Sequence, residues 1–201
     1  MKYWTLLVLT TAILLPMSSY GTPMTFTVNL LGSSEMPPTS STGTGTAVVV
    51  LDPVAQTLQL TVSFTGLTTT DTAAHIHCCL PSPFASGNVG VATTVPAFPG
   101  FPLGVTSGLY MSPVFDLTQA TIYNPAFVTA EGGLLNAETA LIAGIENGAT
   151  YLNIHTTMFP GGEIRGFVVP APEPSSLALL GSGLLGLFLV WRERLSSERR
   201  L

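Results

Sequence analysis

Leu58-Gln59-Leu60-Thr61-Val62-Ser63-Phe64 sets an apolar side chain at every second position and a polar one between. Successive side chains on a strand point to opposite faces, so this period of two predicts a strand buried on one side only. The same alternation occurs upstream, where Phe26, Val28 and Leu30 interleave with Thr25, Thr27 and Asn29. Between the two, residues 46–51 form a β-branched run that ends at Asp52-Pro53, a turn signal that predicts a hairpin into the quoted strand. Further strands are expected at 73–78, 108–111, 151–158 and 164–169. Only 136–146 has helical spacing, with Ala137, Ala140, Leu141 and Ile145 on one face and Gly148 just past its end. Many short strands with one helix predict an all-β fold, an antiparallel β-sandwich of immunoglobulin-like or superoxide-dismutase-like type.

From 80 to about 133 the alternation loosens. Pro81, Pro83, Pro96, Pro99, Pro102, Pro113 and Pro125 punctuate it, and Phe84, Phe98, Phe101, Phe115 and Phe127 are spread among them. So long an insertion is expected to pack its aromatics over one end of the sandwich as a covering loop.

The two ends differ from the middle. Lys2 followed by an apolar run from 3 to 17 and small residues at Ser18, Ser19 and Gly21 predicts a secretory signal peptide over 1–21. The run is shorter than the ~20 residues of a spanning helix. At the other end Pro172-Glu173-Pro174 precedes an apolar stretch, 177–191, and then Arg192, Arg194, Arg199 and Arg200. At ~1.5 Å per residue this stretch covers about 23 Å, a thin transmembrane segment whose arginines would stay cytoplasmic. Residues 22–170 remain as one domain. It holds eight carboxylates against a single cation, Arg165, a net charge of −7. Binding of nucleic acid, which needs Lys and Arg for phosphate, is excluded on that balance.

Only 8% of the chain is charged, yet its three histidines and the domain's one arginine fall in two short motifs. These are His75-Ile76-His77 and Tyr151-Leu152-Asn153-Ile154-His155-Thr156, the latter running on to Gly161-Gly162-Glu163-Ile164-Arg165-Gly166. Strand parity puts His75 with His77, Asn153 with His155, and Glu163 with Arg165, each pair on one face. If the strands are neighbours, one polar cluster results. Two chemistries compete for it. His75, His77 and His155 with Glu163, and Cys79 as a soft ligand, form a candidate site for zinc or copper. Alternatively Asn153, His155, Glu163 and Arg165 form a structural polar network in which Glu163 pairs with Arg165 and no cofactor is needed. Cys78-Cys79 leaves three options open: a vicinal disulfide, a crosslink to another chain, or ligation by Cys79. No nucleophile elbow, phosphate-binding glycine loop with lysine or spaced carboxylate pair is present, so catalysis is not expected. A metalloenzyme of the superoxide dismutase sort is the rival reading, and it calls for more imidazoles than three.

Two resemblances follow from these motifs. Residues 26–169 resemble the chordin-type (CHRD) domain through Leu31-Gly32-Ser33-Ser34-Glu35-Met36-Pro37-Pro38, the 43–50 strand, Ala74-His75-Ile76-His77, the Tyr151 to Thr156 motif and Phe159 to Gly166. That resemblance implies a β-sandwich extracellular module without catalysis. Cys78, Cys79 and the phenylalanine-rich insertion depart from the shortest form of the pattern. Residues 171–201 resemble the PEP-CTERM sorting segment of bacterial envelope proteins in all three parts. It implies transient inner-membrane anchoring, cleavage by an exosortase-type processing enzyme, and delivery to the cell surface or an exopolysaccharide matrix, where surface or matrix partners would be met.

Overall fold

The computed structural model describes residues 23–82, 87–169, 180–189 and 191. Strands β1 (Met24–Leu31), β2 (Thr44–Asp52) and β3 (Thr57–Thr65) form an antiparallel meander in which Phe26, Val28, Leu30, Ala47, Val49, Leu51, Leu58, Leu60, Val62 and Phe64 are all buried. The intervening polar positions are mostly exposed, as the alternation predicts. Each fully buried Leu or Phe contributes about 1.5–3 kcal/mol, so this one face supplies much of the driving force for the fold. The β2–β3 turn is closed by Asp52, whose Oδ1 accepts from the backbone N–H of Val54 (3.0 Å) and Ala55 (2.8 Å).

Five more strands complete the sheet: β4 (Asp71–His77), β5 (Gly108–Met111), β6 (Phe115–Asp116), β7 (Thr150–Thr156) and β8 (Ile164–Val168). Their order is β4-β7-β8-β1-β2-β3-β5, with β6 also paired to β3. The all-β antiparallel architecture is as expected, and its layers are parts of one continuous sheet curled into a half-barrel around a single core. Where β8 meets β1 the backbones lie very close. A Cβ on Gly166 would collide with the Asn29 carbonyl and the Val28 side chain, so only glycine fits there.

The expected single helix is α2 (Leu134–Glu146), two residues longer at its start, and it closes at Asn147 with Gly148 at φ +72° beyond. A second, shorter helix, α1 (Pro125–Ala130), was not anticipated. Asn124 caps it by accepting from the Ala126 N–H at 3.0 Å, and Pro125 occupies its first turn. Single-turn 3₁₀ segments lie at Gly32–Ser34 and Ala120–Ile122. The loose segment is less of a loop than its prolines suggest, since it contributes β5, β6 and α1. Its Phe98, Phe101, Phe115 and Phe127 enter the core.

The β4-β7-β8 end differs from the meander. Every residue of β7 is buried. Leu152 and Ile154 join the core with Ala137, Leu141 and Ile145 of α2, while the opposite face, with Tyr151, Asn153 and His155, is roofed by loops. Cys78 and Cys79 are joined in a vicinal disulfide against α2, at 3.6 and 3.3 Å from the Ala140 carbonyl. Gly144 makes room for them, because a Cβ there would lie 2.6 Å from Cys78 Sγ.

The signal peptide (1–21), Pro172, Glu173, Pro174 and Phe84 lie outside the described residues. Of the 177–191 stretch, 180–189 and 191 are described and helical. Among the described residues no helix is long and apolar enough to cross a membrane.

Candidate functional site

Register decides which polar residues meet. On β7, Asn153 lies directly between His75 of β4 and Arg165 of β8, Tyr151 is opposite His77, and His155 is opposite Ala73. Cross-strand and diagonal neighbours on one face are within side-chain reach, so three imidazoles gather around the Asn153 amide. Ring centroids of His75 lie 4.9 Å from His77 and 4.6 Å from His155. One ligand nitrogen from each of the three lies within 4.8 Å of the others.

Two of the rings are held from behind. His77 Nδ1 lies 2.7 Å from the Val89 carbonyl and His155 Nδ1 lies 2.9 Å from the Pro160 carbonyl. A carbonyl only accepts, so each Nδ1 carries the hydrogen and each Nε2 presents a lone pair. Both Nε2 atoms point at Asn153 Oδ1, at 3.1 and 2.9 Å. His75 is 5% exposed, and its Nδ1 is buried without a hydrogen-bond partner.

Burial keeps the cluster uncharged. Desolvation, reinforced by the neighbouring imidazoles, lowers His75 to about 3. Desolvation likewise takes His77 to about 4, against the Val89 hydrogen bond, and it lowers His155 against the Pro160 hydrogen bond.

These shifts predict an acid-sensitive fold. Below the ordinary histidine value of 6.5 the unfolded chain takes up protons that the folded imidazoles refuse, so stability falls as the pH drops. Glu35 acts in the opposite sense, because burial raises it from 4.5 to about 7, and Asp71, also raised by burial, adds to it at the acid end. Three histidines outweigh these carboxyls between pH 6.5 and 4.5, leaving a net loss on the order of 1 kcal/mol per pH unit. Urea unfolding at three pH values across that window, in chelating buffer, checks it. Stability that rises on acidification would contradict neutral imidazoles.

Arg165 borders the cluster. It is 1% exposed and donates through Nε to the Ser34 carbonyl (2.6 Å) and through an Nη to the Gly87 carbonyl and Asn88 Oδ1 (3.0 Å each). Its guanidinium lies over Tyr151, 4.5 Å from the ring centre, and Phe167, at 5.3 Å. The carboxylate beside it belongs to Glu35, 3.8 Å away and equally buried. Burial dominates the Glu35 carboxyl, against the opposing pull of Arg165 and the Asn153 amide, and its Oε1 is buried without a hydrogen-bond partner.

Glu163 is therefore not the partner of Arg165. It precedes the first residue of β8, after Gly162 at φ +124°, and its carboxylate turns away to accept from Ser41 Oγ (2.5 Å), the Thr68 N–H (2.6 Å) and Thr156 Oγ1 (2.6 Å). Glu163 lies outside β8, and strand parity holds only within the strand. Cys79 is not at the cluster either, since its sulfur is bonded to Cys78 beneath α2. The structure thus brings together His75, His77, His155, Asn153 and Arg165, and leaves out Glu163 and Cys79.

Glu35 and the carbonyls of Val89 and Pro160 were not anticipated from chemistry. Glu35 stands in the Leu31 to Pro38 motif, but no spacing rule ties it to a residue on β8. Backbone acceptors carry no residue signature at all.

Residues 26–168 match the CHRD domain family, and residues 170–194 match the PEP-CTERM protein-sorting motif. No curated protein and no solved structure matches the chain.

Proposed function

The chain belongs to the CHRD-domain family, and from that membership and the sorting motif behind it we propose a non-catalytic binding or structural module of the cell surface or exopolysaccharide matrix. The PEP-CTERM motif marks it for export and for an exosortase. The observation that carries the proposal is the contiguity of the two matches, one ending at 168 and the other opening at 170, so that the cargo delivered is the β-domain itself. The acidic domain, with its lone cation buried, suits an extracellular setting and offers no basic patch for anionic polymers.

Export removes the signal peptide after Gly21. The tail then holds the chain briefly in the inner membrane, arginines inward, until it is cut at the Pro172-Glu173-Pro174 region. Cell fractionation with mass determination of the mature termini tests this sequence of events. A surface or matrix form that begins at Thr22 and lacks the arginine-rich end is expected, and a full-length chain retained in the inner membrane would overturn it.

A further inference from the structure

Lone pairs converge at the centre of the histidine cluster with nothing positive between them. With Nδ1 of His77 and of His155 committed to backbone carbonyls, both Nε2 lone pairs face the Asn153 carbonyl oxygen at hydrogen-bond distance. Acceptor against acceptor is repulsive, and in a buried site it is costly. Three remedies exist. The amide could turn and donate to both rings, but its nitrogen stands beside Glu35 Oε1 at Gly162, and turning it would set the amide oxygen against that carboxyl instead. A proton could enter, but an imidazolium closed in by two other rings would lack the water that solvates it. A metal ion accepts lone pairs from all sides.

We propose that His75, His77 and His155 bind one divalent transition-metal ion, zinc by preference, through His77 Nε2, His155 Nε2 and a ring nitrogen of His75. His75 supplies the independent observation, since it is more than nine-tenths buried with its Nδ1 lacking a partner. The hydrogen bonds from Nδ1 to Val89 and Pro160 are the outer contacts that orient imidazole ligands and fix their tautomer. Neutral imidazole suits zinc, copper and nickel, and it is a poor ligand for calcium or magnesium, which prefer oxygen. Asn153 Oδ1 stands within reach as a weak oxygen donor beside the three nitrogens. Zinc bonds of ~2.0–2.1 Å require the three nitrogens, now within 4.8 Å of one another, to draw closer together.

The inference concerns the domain and does not depend on sorting, so failure of either reading leaves the other standing. The purified full chain is dialysed against zinc, then against metal-free buffer, and its metal is counted by mass spectrometry. About one equivalent of zinc, a raised melting temperature, and a d–d spectrum of tetrahedral type on cobalt loading are expected. Magnesium should give none of these. His75→Gln removes a ring whose Nδ1 has no hydrogen-bond partner and keeps an amide for the Asn153 side, so it should fold and lose at least about tenfold in zinc affinity. Less than a tenth of an equivalent of zinc in the wild-type chain overturns the proposal. So does undiminished affinity in a folded His75→Gln protein.

Discussion

Arg165→Ala lowers the stability of the chain by about 3–5 kcal/mol, the range for removing one partner of a buried charged pair. The side chain is 1% exposed, and three acceptors, the carbonyls of Ser34 and Gly87 and the amide oxygen of Asn88, lose their donor with it. Tyr151 and Phe167 lose the cation that lies over them. Glu35 loses the one positive charge near it among the described residues. Already raised to about 7, its carboxyl answers by holding its proton to higher pH, which limits the electrostatic part of the loss and leaves the hydrogen bonds and the cavity as the larger part. Two controls separate the causes. Arg165→Lys recovers little, because an ammonium cannot reproduce the planar fork that meets Ser34, Gly87 and Asn88 together. Glu35→Gln alone is mild. Chemical unfolding checks all three, and a loss below ~1 kcal/mol for Arg165→Ala would show that the loop at 34–36 and 87–88 moves away and lets water in.

Glu163→Ala lowers stability by about 3 kcal/mol, for a different reason. This carboxylate is fully buried and ties together three segments far apart in sequence: Ser41 before β2, Thr68 between β3 and β4, and Thr156 at the end of β7. Hydrogen bonds to an ionised group contribute about 1.5–3 kcal/mol each before they are offset by desolvation, and alanine leaves all three donors facing a void. Burial pushes the Glu163 carboxyl up, yet the bonds from Ser41, Thr156 and Thr68 together bring it below its ordinary value. A depressed carboxyl contributes stability above its unfolded value of 4.5 and loses it as the pH falls through the folded one. The gap in melting temperature between wild type and Glu163→Gln should therefore be wide at pH 7 and narrow progressively as the pH falls below 4.5. A gap independent of pH would mean that the charge contributes nothing and that shape alone is at stake.

The strands of the meander were legible residue by residue. Leu58, Leu60, Val62 and Phe64 are buried because parity is a property of the extended backbone and needs no partner to be known. That His75 shares a face with His77, and Asn153 with His155, was legible on the same ground, whereas their meeting depends on the pairing of β4 with β7. Of the 80–133 region only the strand at 108–111 was legible, because prolines mark breaks without saying whether the pieces between them pair. Leu109 and Tyr110 found a place on β3 only through contacts more than 40 residues back. Helix α1 was hidden in six residues, too few for a periodic signal.

Left to itself, the amino-acid sequence determined the all-β class, the faces of its strands, the grouping of its few titratable residues and the motif that follows the domain. Each of these depends on local geometry or on a short contiguous pattern. Tertiary structure alone decided which carboxylate meets Arg165. Sheet order sets β8 beside β1, so the segment after β1 folds over β8 and brings Ser34 to a guanidinium 131 residues away, with Glu35 beside it. It also decided that Glu163, two residues from Arg165, serves another network, because Glu163 stands just outside β8 and Ser41, Thr68 and Thr156 are folded against its carboxylate. Parity fixes the direction of a side chain within a strand, whereas the partner it meets depends on which strand the sheet places alongside.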